Sequence, residues 1–136
     1  MCSSDLTTTW EHWNGERSRI HNCYNGIGSW FYQALGGIRS DENTAGYRKV
    51  KIQPQVPQGV TWAKTWKETP YGKLEVDWQL NGKNIGINLM VPVGIDAQVV
   101  IPSSIDNYQL DGKRIKVSGN SERLVTVGSG KHVVVY

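Results

Sequence analysis

Trp10, Glu11, His12 and Trp13 put a carboxylate between two indoles. Aromatic faces pack on the C–H faces of sugar rings, and a carboxylate held beside them can serve as acid or base in cleaving a glycosidic bond. The competing reading is structural. Trp is well buried on average, so Trp10 and Trp13 would be ordinary core residues while Glu11 faces water. Spacing alone leaves both open.

The element that must position this stretch is the segment behind it. Ile20, Tyr24, Ile27, Phe31, Leu35 and Ile38 recur at helical spacing on one face, and Cys23, Trp30 and Ala34 widen it. The pattern predicts an amphipathic helix that stops at Gly36-Gly37, where glycine can take the left-handed conformation that ends a helix. Burying side chains of this size is worth roughly 1.5–3 kcal/mol each. Such a face needs a partner surface, either the sheet that follows or something outside these 136 residues.

After a polar, turn-like stretch at residues 39–46 the texture becomes short alternating runs. Val50 and Ile52 share one strand face; Leu74, Val76 and Trp78 share another; Ile85, Ile87, Leu89 and Val91 alternate with small or polar residues. Asn81-Gly82 predicts a type I′ hairpin, and Asp111-Gly112 a second hairpin. With eight or so strands and no helix between them, the pattern predicts an antiparallel β-sandwich. Trp62, Trp66 and Trp78 within it would form either a sugar-binding platform or a set of core aromatics between the sheets.

Composition narrows the classes. The chain carries 15 basic and 12 acidic residues, a net charge of +3, and its only basic run is Arg48-Lys49-Val50-Lys51. That is a solvated strand face, not a nucleic-acid site. No apolar stretch has the length of a transmembrane helix, and residues 1–10 show no signal-peptide pattern, so the compartment is left open. Cys2 and Cys23 are too few for a disulfide framework, and Cys23 reads as a small core residue. His12, His21 and His132 are too dispersed for a metal site, and nothing indicates a cofactor.

Taken in order, the motifs resemble those at the C-terminal end of bacterial α-L-rhamnosidases of glycoside hydrolase family 78. That family closes its (α/α)6 barrel with TT-x-WE-x-W, here residues 7–13. A segment ending in histidine follows, here His21, then G-x-[IV]-G-x-W-[FL]-Y, here residues 26–32. The GIRPD linker is matched at residues 37–41, the P-G-Y turn at 45–47, the LTWA strand at 60–63 and the SPYG turn at 69–72. Ser40 and Ala45 stand where the family often has proline, and Ile20 where it usually has asparagine.

The resemblance implies a mostly β chain: residues 1–41 as the C-terminal remnant of the (α/α)6 catalytic barrel, with its last helix, and residues 42–136 as the C-terminal antiparallel β-sandwich. Family members hydrolyse terminal α-L-rhamnosyl bonds with inversion, using two carboxyl groups. Glu11 matches the general base and His21 a histidine of the sugar pocket, while Trp10 and Trp13 would wall or support it. None of the nearby carboxyls Asp5, Glu16, Asp41 and Glu42 sits in a motif matching the general acid. The implied partners are a rhamnosylated glycan or glycoside and the remainder of the barrel, without nucleic acid or membrane. The alternative is a stand-alone β-sandwich that binds carbohydrate or another partner and catalyses nothing.

Overall fold

The computed structural model describes residues 26–116 and 121–136 and, nearer the N-terminus, residues 12, 14, 16, 17 and 19. Two compact units divide between Phe31 and Tyr32.

In the first unit the described helix is one short turn, α1 (Ile27–Trp30). Ser29 Oγ donates to Gly26 O at 2.8 Å, and the Trp30 and Phe31 rings meet edge to face at 5.4 Å. Ile27, Trp30 and Phe31 are exposed. The chain then widens into a turn of π-helix, Phe31–Leu35. Helical structure therefore runs from Ile27 to Leu35 and stops at Gly36-Gly37 as expected, with its last turn π rather than α; the part expected from Ile20 to Asn25, with Cys23, lies outside the described residues.

Gly37 explains the stop. It sits at φ 72°, and a Cβ there would collide with the backbone of Gln53 and Pro54. Gln53 N donates to Gly37 O at 2.9 Å and Gln55 N to Ala34 O at 2.9 Å, so the turn is tied to the chain leaving β2. Ile38, expected on the helical face, instead opens strand β1 (Ile38–Ser40).

Nine more strands follow: β2 (Lys49–Ile52), β3 (Trp62–Thr69), β4 (Gly72–Asn81), β5 (Asn84–Val91), β6 (Asp96–Ile101), β7 (Asn107–Leu110), β8 (Lys113–Lys116), β9 (Arg123–Val127) and β10 (Gly130–Val135). They form a four-stranded sheet in the order β1-β2-β6-β9 and a six-stranded sheet in the order β3-β4-β5-β10-β7-β8. The larger sheet is antiparallel throughout. In the smaller one β2 and β6 run parallel, Lys49 opposite Asp96 through Ile52 opposite Val99. The mostly β, two-sheet architecture agrees with the sequence pattern; this parallel pair does not follow from it.

Both sheets turn an apolar face to one core. Val50, Ile52, Ala97, Val99 and Val125 come from the smaller sheet, and Leu74, Val76, Trp78, Ile87, Leu89, Val91 and Val134 from the larger. The period of two seen in β4 and β5 is the in–out alternation of these strands. Lys49 and Lys51 flank the buried Val50 and point to water.

The hairpins differ from one another. Between β7 and β8, Asp111 and Gly112 both take positive φ, 50° and 80°, as a type I′ turn requires. Between β4 and β5, Asn81 still pairs with Asn84, so the loop residues are Gly82 and Lys83. Of the two only Gly82 is left-handed, at φ 64°. The expected type I′ turn is not formed, and glycine in the first loop position is what a type II′ turn demands.

Tyr136 closes the larger sheet: its N–H donates to Ile85 O at 3.1 Å and its carbonyl accepts from Ile85 N at 2.7 Å. Burial pushes its phenol up to about 12. In the unfolded chain a tyrosine ionises near pH 10. The folded pKa is the higher one, so this contribution to stability is whole below about pH 10 and is lost as pH rises toward 12. Alkaline titration followed by tyrosinate absorbance should show one late-ionising phenol that disappears in Tyr136→Phe. Simultaneous ionisation of all six tyrosines while the fold persists would refute it.

Candidate functional site

Trp10, Glu11, Trp13 and His21 lie outside the described residues, so the structure assigns them no geometry. The described neighbours in that segment are exposed. Glu16 N donates to Asn14 Oδ1 at 3.1 Å, a local Asx turn, and Arg17 follows in the left-handed region at φ 61°. Among the described residues no group of three His, Cys, Asp or Glu is placed to hold a metal ion. No described helix is long and apolar enough to cross a membrane.

The tryptophans of the sandwich divide between the two roles expected for them. Trp78, on β4, is only 2% exposed. Its indole Nε1 donates to Leu35 O at 2.7 Å, satisfying a carbonyl at the end of the π turn. Trp62 and Trp66, on β3, are 60% and 52% exposed. Their strand alternates, so Trp62, Lys64, Trp66 and Glu68 share the outer face of the larger sheet while Ala63 turns inward. Across that face Trp62 stands opposite Gln79, Lys64 opposite Asp77, and Trp66 opposite Glu75. Asp77 in turn stands opposite Asn88, and Glu75 opposite Met90.

Two shallow hollows lie on this face. One, about 340 Å³, is lined by Trp62, Lys64, Asp77, Gln79 and Asn88 together with Trp78. The other, about 200 Å³, lies toward β10 and includes Glu75, Asp77, Asn88, Met90 and Lys131. They share Asp77 and Asn88. Lys73 Nζ lies 5.1 Å from the centre of the Trp66 ring and pairs with Glu75, a contact that holds the lysine's pKa above its usual value.

Two other polar clusters are structural. Lys67 Nζ lies 5.0 Å from the Tyr47 ring centre and 5.7 Å from that of Tyr32. His132 Nδ1 lies 2.9 Å from Asp111 Oδ2, and its Nε2 lies 3.1 Å from Gly128 O. Asp111 Oδ1 accepts from Val133 N at 2.8 Å. These contacts, the His132 hydrogen bond foremost, hold the Asp111 carboxyl below the usual range and pin the β7–β8 turn to β10.

The fold is therefore a two-sheet β-sandwich domain, and its described outer surface carries exposed aromatic and polar groups. Residues 37–116 match the family model of the bacterial alpha-L-rhamnosidase C-terminal domain, and the chain belongs to that family. An alpha-L-rhamnosidase of Formosa agariphila is 27% identical over 93% of this chain, and one of Alteromonas sp. (strain LOR) is 31% identical over 74% of it. The chain spans only 14% and 12% of the lengths of these relatives. Among solved structures, the alpha-L-rhamnosidase of Streptomyces avermitilis complexed with L-rhamnose superposes with a TM-score of 0.72 at 29% identity. That match covers 88% of this chain and 12% of that one. The enzyme from Dictyoglumus thermophilum superposes at 0.78 over 96% of this chain and 16% of that one, with 22% identity, a likeness of fold.

Proposed function

We propose that this chain is the C-terminal portion of an inverting α-L-rhamnosidase that hydrolyses terminal α-L-rhamnosyl bonds, with Glu11 as its general base. The observation that carries this reading is the family match across the sandwich, joined to an alignment over 93% of the chain that also takes in the N-terminal segment. On this reading residues 1–41 are the C-terminal remnant of the (α/α)6 catalytic barrel and residues 42–136 the sandwich domain, except that β1, just ahead of that boundary, pairs into the sandwich's smaller sheet. The exposed Ile27, Trp30 and Phe31 are the kind of surface a barrel remnant would present.

The chemistry is that of paired carboxyls. A base that activates water needs an ionised carboxylate and room for the water, which in inverting enzymes sets the two carboxyls roughly 6.5–9.5 Å apart. Glu11 takes the proton as water attacks the anomeric carbon, and the leaving oxygen is protonated by an acid on the barrel portion. Trp10 and Trp13 wall the sugar, and His21 hydrogen-bonds its hydroxyls.

The test compares two proteins on an aryl α-L-rhamnoside. The 136-residue chain alone should release no aryl alcohol above background, because it carries the base without a positioned acid. The same chain joined to its barrel should turn over and release rhamnose first as the inverted anomer, read by proton NMR. Turnover by the pure chain, or first release of the retained anomer, would overturn the reading.

A further inference from the structure

We propose that the outer face of the six-stranded sheet is a second, non-catalytic carbohydrate site that holds a neutral glycan chain along β3 on Trp62 and Trp66. The proposal goes beyond the catalytic reading and uses none of Trp10, Glu11, Trp13 or His21. A chain that bound no glycan here would leave that reading standing.

Three observations carry it. First, the two exposed indoles share one side of one strand. Four residues at the rise of a β-strand set them about 13 Å apart, farther than one sugar ring extends, so the match is to a chain and not to a single sugar. Second, the groups beside them are hydrogen-bonding partners for hydroxyls. Lys64, Asp77, Gln79 and Asn88 border Trp62 in a hollow of about 340 Å³, at the small end of the range for ligand sites. Asp77 accepts from a pair of neighbouring hydroxyls, while the amides of Gln79 and Asn88 both donate and accept. Third, the composition of the face argues against a protein partner. The centres of protein interfaces are depleted of Lys, Asp and Glu, whereas here Lys64, Asp77, Glu75 and Lys73 stand among the two indoles. The charges are of both signs and sit opposite one another, Lys64 facing Asp77, so a neutral ligand fits better than a polyanion.

The two tryptophans are not equivalent. Lys73 lies over the Trp66 ring, an exposed cation–π contact that a sugar must displace or avoid. Trp62 borders the larger hollow and is the primary contact.

Affinity electrophoresis of the full 136-residue chain through gels containing galactomannan, arabinoxylan or a neutral rhamnan tests this directly. The chain should be retarded in at least one of them. Trp62→Ala should weaken that binding roughly tenfold or more, as for a central aromatic contact. Trp66→Ala should weaken it less, and Trp62→Tyr, which keeps a flat ring, should retain most of it. Both tryptophans are exposed, so the melting temperature should stay at the wild-type value and certify the fold. Free migration in all three gels, or retardation unchanged in the Trp62→Ala, Trp66→Ala double variant, would overturn the proposal. So would a double variant whose main effect, by sedimentation, is loss of self-association, because the face would then be an interface between copies.

Discussion

Trp78→Ala should destabilise the sandwich by about 3–5 kcal/mol, the usual range for emptying a large aromatic site in a core. The expected cost is at the top of that range because two losses coincide. The ring occupies the core between the sheets at 2% exposure, and its Nε1 satisfies Leu35 O at the end of the π turn. Trp78→Phe separates them: most of the apolar volume stays, the donor goes, and about 1–3 kcal/mol should be lost for the unsatisfied carbonyl. Urea unfolding of the chain measures both. A Trp78→Phe variant as stable as the parent would mean that Leu35 O finds another donor and that the π turn is held without Trp78.

The second large effect concerns Glu11, proposed as the general base once the chain is joined to its barrel. Glu11→Gln keeps size and shape but cannot accept the proton, so kcat should fall roughly 10²–10⁴-fold, the usual worth of general base catalysis. Binding of rhamnose should survive, since the amide keeps similar hydrogen-bonding reach. Glu11→Ala leaves space where the carboxylate stood, beside the attacking water. Added azide needs no base there, and should restore turnover with a rhamnosyl azide of inverted configuration. A retained azide would make Glu11 the acid/base of a retaining enzyme. An unchanged kcat in Glu11→Gln would return Trp10, Glu11 and Trp13 to a purely structural role.

How much of this could be read from the sequence depended on which physical constraint set each feature. β4 and β5 were readable because each has one face in the core, so Leu74, Val76 and Trp78, and Ile85 through Val91, must alternate. The Asp111-Gly112 turn was readable because few residues tolerate two successive positive φ angles. At Asn81-Gly82 the same dipeptide signal misplaced the loop by one residue, since pairing of Asn81 with Asn84 decides which residues turn. β1 was hidden because Ile38 falls at helical spacing from Leu35 and Phe31; the left-handed Gly37 breaks that register in a way apolar spacing does not record. The parallel β2–β6 pair was hidden because alternation fixes which face is buried but not which neighbour a strand takes. The sandwich tryptophans shared one residue type and separated only once strand parity was known: Ala63 and Trp78 pair on the inner face, while Trp62 and Trp66 pair with Gln79 and Glu75 on the outer. The proposed catalytic stretch rests on motif order alone, because Trp10, Glu11, Trp13 and His21 lie outside the residues the structure describes.

The three residues of β1 have a practical consequence for anyone dividing this protein. β1 pairs along the flank of β2 that β6 does not use, with Ile38 opposite Ile52 and Ser40 opposite Val50. A polypeptide begun after Ser40 leaves that flank of β2 bare, a row of unpaired N–H and C=O groups that invites edge-to-edge aggregation. Only the outward Lys49 and Lys51 oppose such stacking, by charge and not by shape. A well-behaved recombinant piece of the sandwich therefore has to begin upstream of Ile38 and carry Gly37 with it, because the left-handed glycine is what delivers β1 to its place.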